Sequence, residues 1–228
     1  MTEFDWHSLL QPQWYVANGG VWIILLIVFA ETGLFMGFFL PGDSLLFVSG
    51  IMWRELETGF FNLPFLAIMI LISIAAILGN QVGYWFGRKI GPAMYSWKDR
   101  WYFKQKYLQQ ARVFYEEHGA GAIFMARFLP FVRTFAPIVA GIVRMEKKKF
   151  TAISVISAFV WVFSMMLLGR YLHKFLLDKF DYDLTHDLEL IVIGIIVLSV
   201  LPIIFKMIQN KLKEGKNMIE PGEKETEG

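Results

Sequence analysis

Apolar residues in this chain fall in long blocks rather than at the regular spacing of a soluble helix or strand. Three blocks carry no charge: 58–87, 150–169 and 190–205. A helix needs about 20 predominantly apolar residues to cross a ~30 Å hydrocarbon core. The first two blocks meet that length. The third reaches it when Glu189 and Lys206 extend their charged ends toward water. The pattern predicts spanning helices over 62–87, 150–170 and 189–209. Two further blocks are interrupted. Residues 20–53 contain Glu31 and Asp43 and break at Pro41-Gly42; residues 119–143 contain Arg127, Pro130, Arg133 and Pro137. Pro-Gly suits the centre of a type II turn, and Asp43-Ser44 then offers a helix N-cap. The arm from 44 to 53 gives about 15 Å of helix, half of what a crossing requires. The arms on either side of Pro130 are too short as well. Both blocks are expected to be re-entrant helical hairpins with tips at Pro41, Gly42 and Pro130, their irregular backbone buried in protein. For the second block, a single kinked spanning helix remains the alternative.

Charge placement supports this topology. Residues 1–53 contain no Lys or Arg, whereas 88–118 contain seven and 144–149 contain four. The segment 173–189 is acidic, and 206–216 is basic again. Under the positive-inside rule, 88–118, 144–149 and the C-terminal tail are cytoplasmic, and 54–63 and 173–189 lie outside. Three spanning helices satisfy that alternation only if neither hairpin makes a net crossing. Residues 98–118 mix bases with aromatics and are expected to lie along the interface as an amphipathic helix. The N-terminus lacks the basic start of a secretory signal, so residues 1–30 are expected to remain in the mature protein.

The composition agrees with a membrane protein. It is 56% hydrophobic and 18% charged, with mean hydropathy +0.47. No polar linker divides it, so residues 1–210 are taken as one membrane domain and 211–228 as a polar cytoplasmic tail. There is no cysteine, which excludes disulfide and thiol chemistry. The four histidines have no metal-ligand spacing, and no nucleophile–base motif is visible. Neither an enzyme, a cofactor nor a nucleic-acid partner is expected; a homo-oligomer is left open.

Phe39-Leu40-Pro41 followed by Gly50-Ile51 recurs as Phe128-Leu129-Pro130 followed by Gly141-Ile142. Each copy precedes a predicted spanning helix that ends in Gly-Arg. The expected fold is therefore an all-α membrane protein: an inverted repeat of hairpin plus spanning helix, with a further C-terminal spanning helix. Broken helices meeting near the midplane are a recurring transporter plan.

Four charges lie inside apolar blocks. Each costs roughly 2.5–3.5 kcal/mol near the centre of a lipid-facing helix. They must therefore face inward and neutralise one another, Glu31 and Asp43 from the first hairpin against Arg127 and Arg133 from the second. Two structural ion pairs would be the plainer reading. Against it, buried pairs stabilise poorly compared with apolar packing. An arginine fork binds phosphate oxygens bidentately, and a helix starting near Thr134 would aim its amides at an anion. Burial and a neighbouring guanidinium act in opposite senses on a carboxyl group. Phosphate competing for the arginine would then switch Glu31 or Asp43 between charged and protonated forms. Gly79, Gly83 and Gly87 recur every four residues and point to close helix packing.

These motifs resemble the DedA (VTT-domain) family. The first half carries Glu31, Phe39-Leu40-Pro41-Gly42-Asp43 and Leu78-Gly79-Asn80-Gln81-Val82-Gly83-Tyr84-Trp85-Phe86-Gly87-Arg88. The second carries His118-Gly119, Ala126-Arg127-Phe128-Leu129-Pro130-Phe131-Val132-Arg133-Thr134, Ala140-Gly141, Met145 and Phe150. Asn80 departs from the Asp that members often carry. The resemblance implies lipid translocation in a bacterial cytoplasmic membrane. Some members are similar to undecaprenyl-phosphate translocases, and eukaryotic relatives act as phospholipid scramblases. It places Glu31 and Asp43 in proton coupling, and Arg127 and Arg133 on the lipid phosphate. The competing readings are an energy-independent scramblase and a proton-coupled exchanger of small ions or osmolytes.

Overall fold

The computed structural model describes residues 12–34, 42–95, 105–127, 130–182, 184 and 194. The chain divides into a unit of residues 1–189 and a second of residues 190–228. Only residue 194, which is helical, is described in the second unit. All but one residue of the helix expected over 189–209 and the whole tail 211–228 therefore lie outside the described residues, as do Pro41 and the interfacial residues 98–104.

Seven helices make up the described part: α1 (Pro12–Gly33), α2 (Gly42–Ile51), α3 (Trp53–Gly59), α4 (Phe65–Tyr95), α5 (Gln105–Ala126), α6 (Pro130–Ile142) and α7 (Lys147–Phe180). No strand occurs among the described residues. α4 and α7 are long and apolar enough to cross a membrane. They extend beyond the sequence expectation, running past Gly87-Arg88 and Gly169-Arg170 instead of ending there. An arginine in a helix interior is a good helix former, and a single glycine costs only about 1 kcal/mol, so neither stops a long helix. Large apolar side chains line one exposed face of α4 (Leu66, Ile70, Ile74, Leu78, Val82) and the outside of α7 (Ile156, Val160, Leu168). Faces of this kind belong against lipid.

The interrupted blocks fold as short helices. In α1, Gly20 (φ 53°, ψ −148°) interrupts the helical dihedrals, in a region open almost only to glycine. The apolar part that follows, Gly20–Gly33, and the helices α2 and Val132–Ile142 are all 10–17 residues long. The second block breaks at Arg127 and resumes at Pro130, where a missing amide proton costs nothing in the first helical turn. α6 thus starts earlier than expected. Thr134 sits inside the helix, and its amide is not among the free amides of the N-terminus. α5 is one continuous helix through residues 118–119, where the sequence suggested that an interfacial helix hands over to a hairpin arm. A connector of 143–146 joins α6 to α7, closed by Met145 N–H to Ala140 O (3.0 Å), with Arg144 left-handed at φ 57°.

Lipid gives no hydrophobic drive for helix to meet helix, so close backbone approach and polar contacts must hold the bundle. The glycines supply the approach. A Cβ on Gly33 would lie 2.7 Å from the Gly79 carbonyl oxygen, and one on Gly91 2.9 Å from Ile142 O. Gly87 abuts the Ile138 carbonyl, Gly50 that of Met166, and Gly169 that of Phe47. These contacts tie α4 to α1 and α6, and α7 to α2. Thr32 adds a hydroxyl that donates 3.2 Å to Ala76 O on α4. Arg170 of α7 lies 4.0 Å over the ring of Trp53 in α3 and 5.1 Å over Phe65 at the start of α4.

Gly87→Ala should test the tight contacts. Its methyl group meets backbone, which no rotamer change relieves. Overpacking of this kind costs about 1–3 kcal/mol, read as a lower thermal midpoint in detergent. Gly121→Ala, with nothing within 4 Å of the added carbon, should leave the midpoint unchanged or raise it.

Candidate functional site

The four charges expected to meet do so, in a different arrangement from two separate ion pairs. Arg133, in the first turn after the α6 start, reaches both acids. Its Nη2 bonds Glu31 Oε1 near the end of α1, and its Nη1 bonds Asp43 Oδ1 in the first turn of α2. Pro137, four residues on, lacks the amide that would bond the Arg133 carbonyl, which loosens α6 at the charge. Asp43 also accepts a hydrogen bond from Trp161 Nε1 at 2.8 Å. Its carboxylate is thus engaged in tertiary contacts, where the sequence had suggested an N-cap. Gly42, at the expected tip, opens α2, and any Cβ there would occupy the position of the Glu31 carboxylate. The sequence assigned Gly42 to a turn; its lack of a side chain also makes room for an acid.

Arg127 stands apart. It sits in the turn that ends α5, with its amide bonded to Phe124 O at 3.2 Å. The residue is 6% exposed. Its Nη1 lies 3.4 Å from Ser157 Oγ on α7, while Nε and Nη2 are buried without a hydrogen-bond partner. Glu31 Oε2 and Arg133 Nε are likewise unpartnered. Among the described residues no carboxylate forms an ion pair with Arg127. Both guanidinium groups lie over the Trp161 ring, Arg127 at 5.0 Å and Arg133 at 4.9 Å from its centroid. A tryptophan face stabilises a cation that has left water.

Two of these features escaped the sequence. The first is Trp161, over whose ring both arginines lie. The signal for it was position. A tryptophan near the middle of a predicted span is far from the interfaces where such residues anchor. Also missed was a polar seam between α4 and α7. Asn80 Nδ2 donates to Ser154 Oγ at 2.8 Å and Gln81 Nε2 to Thr151 Oγ1 at 3.2 Å, while within α7 Ser157 Oγ donates to Ser154 O at 3.2 Å. Beyond it the Tyr84 ring stacks on Phe150 at 4.4 Å, and its hydroxyl donates 2.5 Å to Met145 O and accepts from Arg88 Nη1 at 2.7 Å. Serines and threonines scattered through an apolar block read as neutral filler until their helix faces are known. Among the described residues no group of His, Cys, Asp or Glu is placed to hold a metal ion.

The chain matches the family model described as the VTT domain over residues 40–171. It is 41% identical over 214 residues to Protein DedA of Escherichia coli K12, spanning 92% of this chain and 94% of that protein. It is 33% identical to an uncharacterized membrane protein of Mycobacterium leprae, over 84% of this chain and 81% of the relative. It is 32% identical to the inner membrane protein YqjA of Escherichia coli K12, over 67% of each. No solved structure matches the chain.

Proposed function

The chain belongs to the VTT-domain (DedA) family of membrane proteins, and from that premise we propose that it is a transporter moving a phosphate-bearing lipid across the bacterial cytoplasmic membrane. The observation that carries this reading is Arg127: a buried guanidinium with two donors facing no acceptor and, among the described residues, no carboxylate paired to it. Leaving charged donors unsatisfied in low dielectric is costly. A site that retains them is suited to an anion that comes and goes. Phosphate carries several strong acceptor oxygens that match the fork. Undecaprenyl phosphate is the substrate chosen, with the lipid tail left in the bilayer.

The neighbouring groups give the proposal a cycle. At rest Arg133 is shared between Glu31 and Asp43. Arriving phosphate binds Arg127 and competes for Arg133. An acid that loses its cation takes up a proton, because an isolated carboxylate in a dry site is unfavourable. Release of phosphate restores the pairs and returns the proton. Lipid movement is thereby coupled to the proton gradient. The two helical breaks are re-entrant hairpins opening to opposite sides, in this scheme, so that each membrane face has its own access to the cluster. Short arms and uneven basic residues support that topology.

Proteoliposomes containing undecaprenyl phosphate test the function. Transport should accelerate when a pH gradient is imposed. Rates indifferent to the gradient would point to passive scrambling, and movement of the dephosphorylated alcohol at the same rate would rule out a phosphate site. The topology has its own test. Since the chain has no cysteine, single cysteines at Asn18, Glu55, Glu117 and Lys147 report sidedness cleanly. An impermeant thiol reagent on whole cells should reach the first two and miss the others; equal labelling of all four sinks the arrangement.

A further inference from the structure

We infer that the polar seam between α4 and α7 is a binding track along which the anionic headgroup passes between the charged cluster and the Lys147 end of α7. The inference rests on the transport reading above and adds the route.

Three observations carry it. The first is position. Thr151, Ser154, Ser157 and Trp161 are spaced three, three and four residues apart, which puts them on one face of α7. They cover about 15 Å, half of a hydrocarbon core. Ser157 touches Arg127 at one end. At the other, Thr151 lies one turn from the exposed Lys147, Lys148 and Lys149.

The second is chemistry. Asn80, Gln81, Ser154, Ser157 and Thr151 all offer hydrogen-bond donors, and none carries negative charge. A proton relay through a membrane is usually built from carboxylates and histidines. The seam has neither, and it suits a phosphate oxygen handed from donor to donor. The carboxylate at its basic end, Glu146, is occupied by Lys149 at 3.2 Å.

The third is separability. α4 is locked to α1 and α6, and α7 to α2, by glycines whose partners are backbone carbonyls. Along the seam, α4 and α7 meet through side chains instead, which release one another when the helices separate. Ser154 is fully buried, and Asn80 is 4% exposed, so the track is closed as seen and opens when the two glycine-locked groups part. The bond from Arg133 to Asp43 joins the same two groups, α6 on one side and α2 on the other. Phosphate that draws Arg133 from Asp43 therefore loosens the interface it must enter.

Such contacts also serve simply to hold helices together in lipid, and the experiment separates the two roles. Ser154→Cys supplies the only thiol. Inverted membrane vesicles are treated with a negatively charged methanethiosulfonate while they transport undecaprenyl phosphate. Labelling should be at least tenfold faster with that lipid than with undecaprenol. A thiol that stays protected during measured transport overturns the inference. Millimolar inorganic phosphate is a separate arm. If it speeds labelling and the lipid does not, the track serves free phosphate and the lipid assignment is wrong. Asn80→Leu, purified and folded, should transport the lipid at least tenfold more slowly than the parent. Unchanged transport per folded molecule, with or without lowered thermal stability, identifies the seam as helix packing and nothing more. Should the unmodified protein neither bind nor move the lipid, the proposed function falls and the track falls with it.

Discussion

Arg127→Lys is expected to lower affinity for the phosphate-bearing lipid about tenfold or more while the protein stays folded. The guanidinium lies over Trp161 with one nitrogen at Ser157, leaving two donors for the ligand. A lysine ammonium is a compact, strongly hydrated charge that neither stacks on the indole nor forks onto two oxygens. Losing one charged hydrogen bond costs about 1.5–3 kcal/mol, or about tenfold to more than a hundredfold in affinity. Arg133→Lys tests the companion role. An ammonium does not span Glu31 and Asp43 as the fork does, so one acid loses its partner. Removing a member of a buried pair costs about 3–5 kcal/mol; the lysine retains part of that. The expected result is weaker lipid binding together with a lower thermal midpoint. Binding to the purified variants, with undecaprenol as the control, reads both effects. Parental affinity in both lysine variants would count against the phosphate site.

Glu31→Gln and Asp43→Asn should each abolish gradient-driven transport while the protein still inserts. Each amide keeps the shape and a carbonyl oxygen for Arg133, but it neither carries charge nor takes up a proton. The two differ in detail. Glu31→Gln leaves Arg133 paired with Asp43, which Trp161 also holds. Asp43→Asn leaves Arg133 paired with Glu31 alone and weakens the link from α6 to α2. Asp43→Asn should therefore show the greater thermal destabilisation. Transport measured across a range of pH decides the matter: parental rates in both variants at every pH would remove these carboxylates from coupling.

Much of the architecture was legible because lipid makes the rules simple. Uninterrupted apolar length located α4 and α7. Buried charge located the cluster, since Glu31, Asp43, Arg127 and Arg133 had nowhere favourable to be except together. The glycine spacing in α4 translated directly into contacts with α1 and α6. What a sequence lacks is the rotation of each helix about its axis. Without that angle, two acids and two bases are expected to neutralise one another, with no way to say which meets which. The geometry gives both acids to Arg133 and, among the described residues, leaves Arg127 without a paired carboxylate. The same missing angle hid Trp161, which reads as one more apolar residue of α7, and hid the face shared by Thr151, Ser154 and Ser157. Helix ends were less legible for another reason. Proline at the start of a helix costs nothing, so Pro130 opened α6 rather than lying outside it.

Arg170 lies over aromatic rings of both α3 and α4, at the end of the α4–α7 pair remote from Lys147. A cation over two rings ties α7 to α3 and α4 beyond the end of the hydroxyl and amide contacts of the seam. On the proposed transport reading, the two long helices would act as tongs with their rivet near Arg170, spreading at the Lys147 end and staying joined at the other. Such a pair would admit its cargo from a single membrane face, and access from the opposite face would come through the short helices α1 and α2 and not through a symmetric reopening of the long ones.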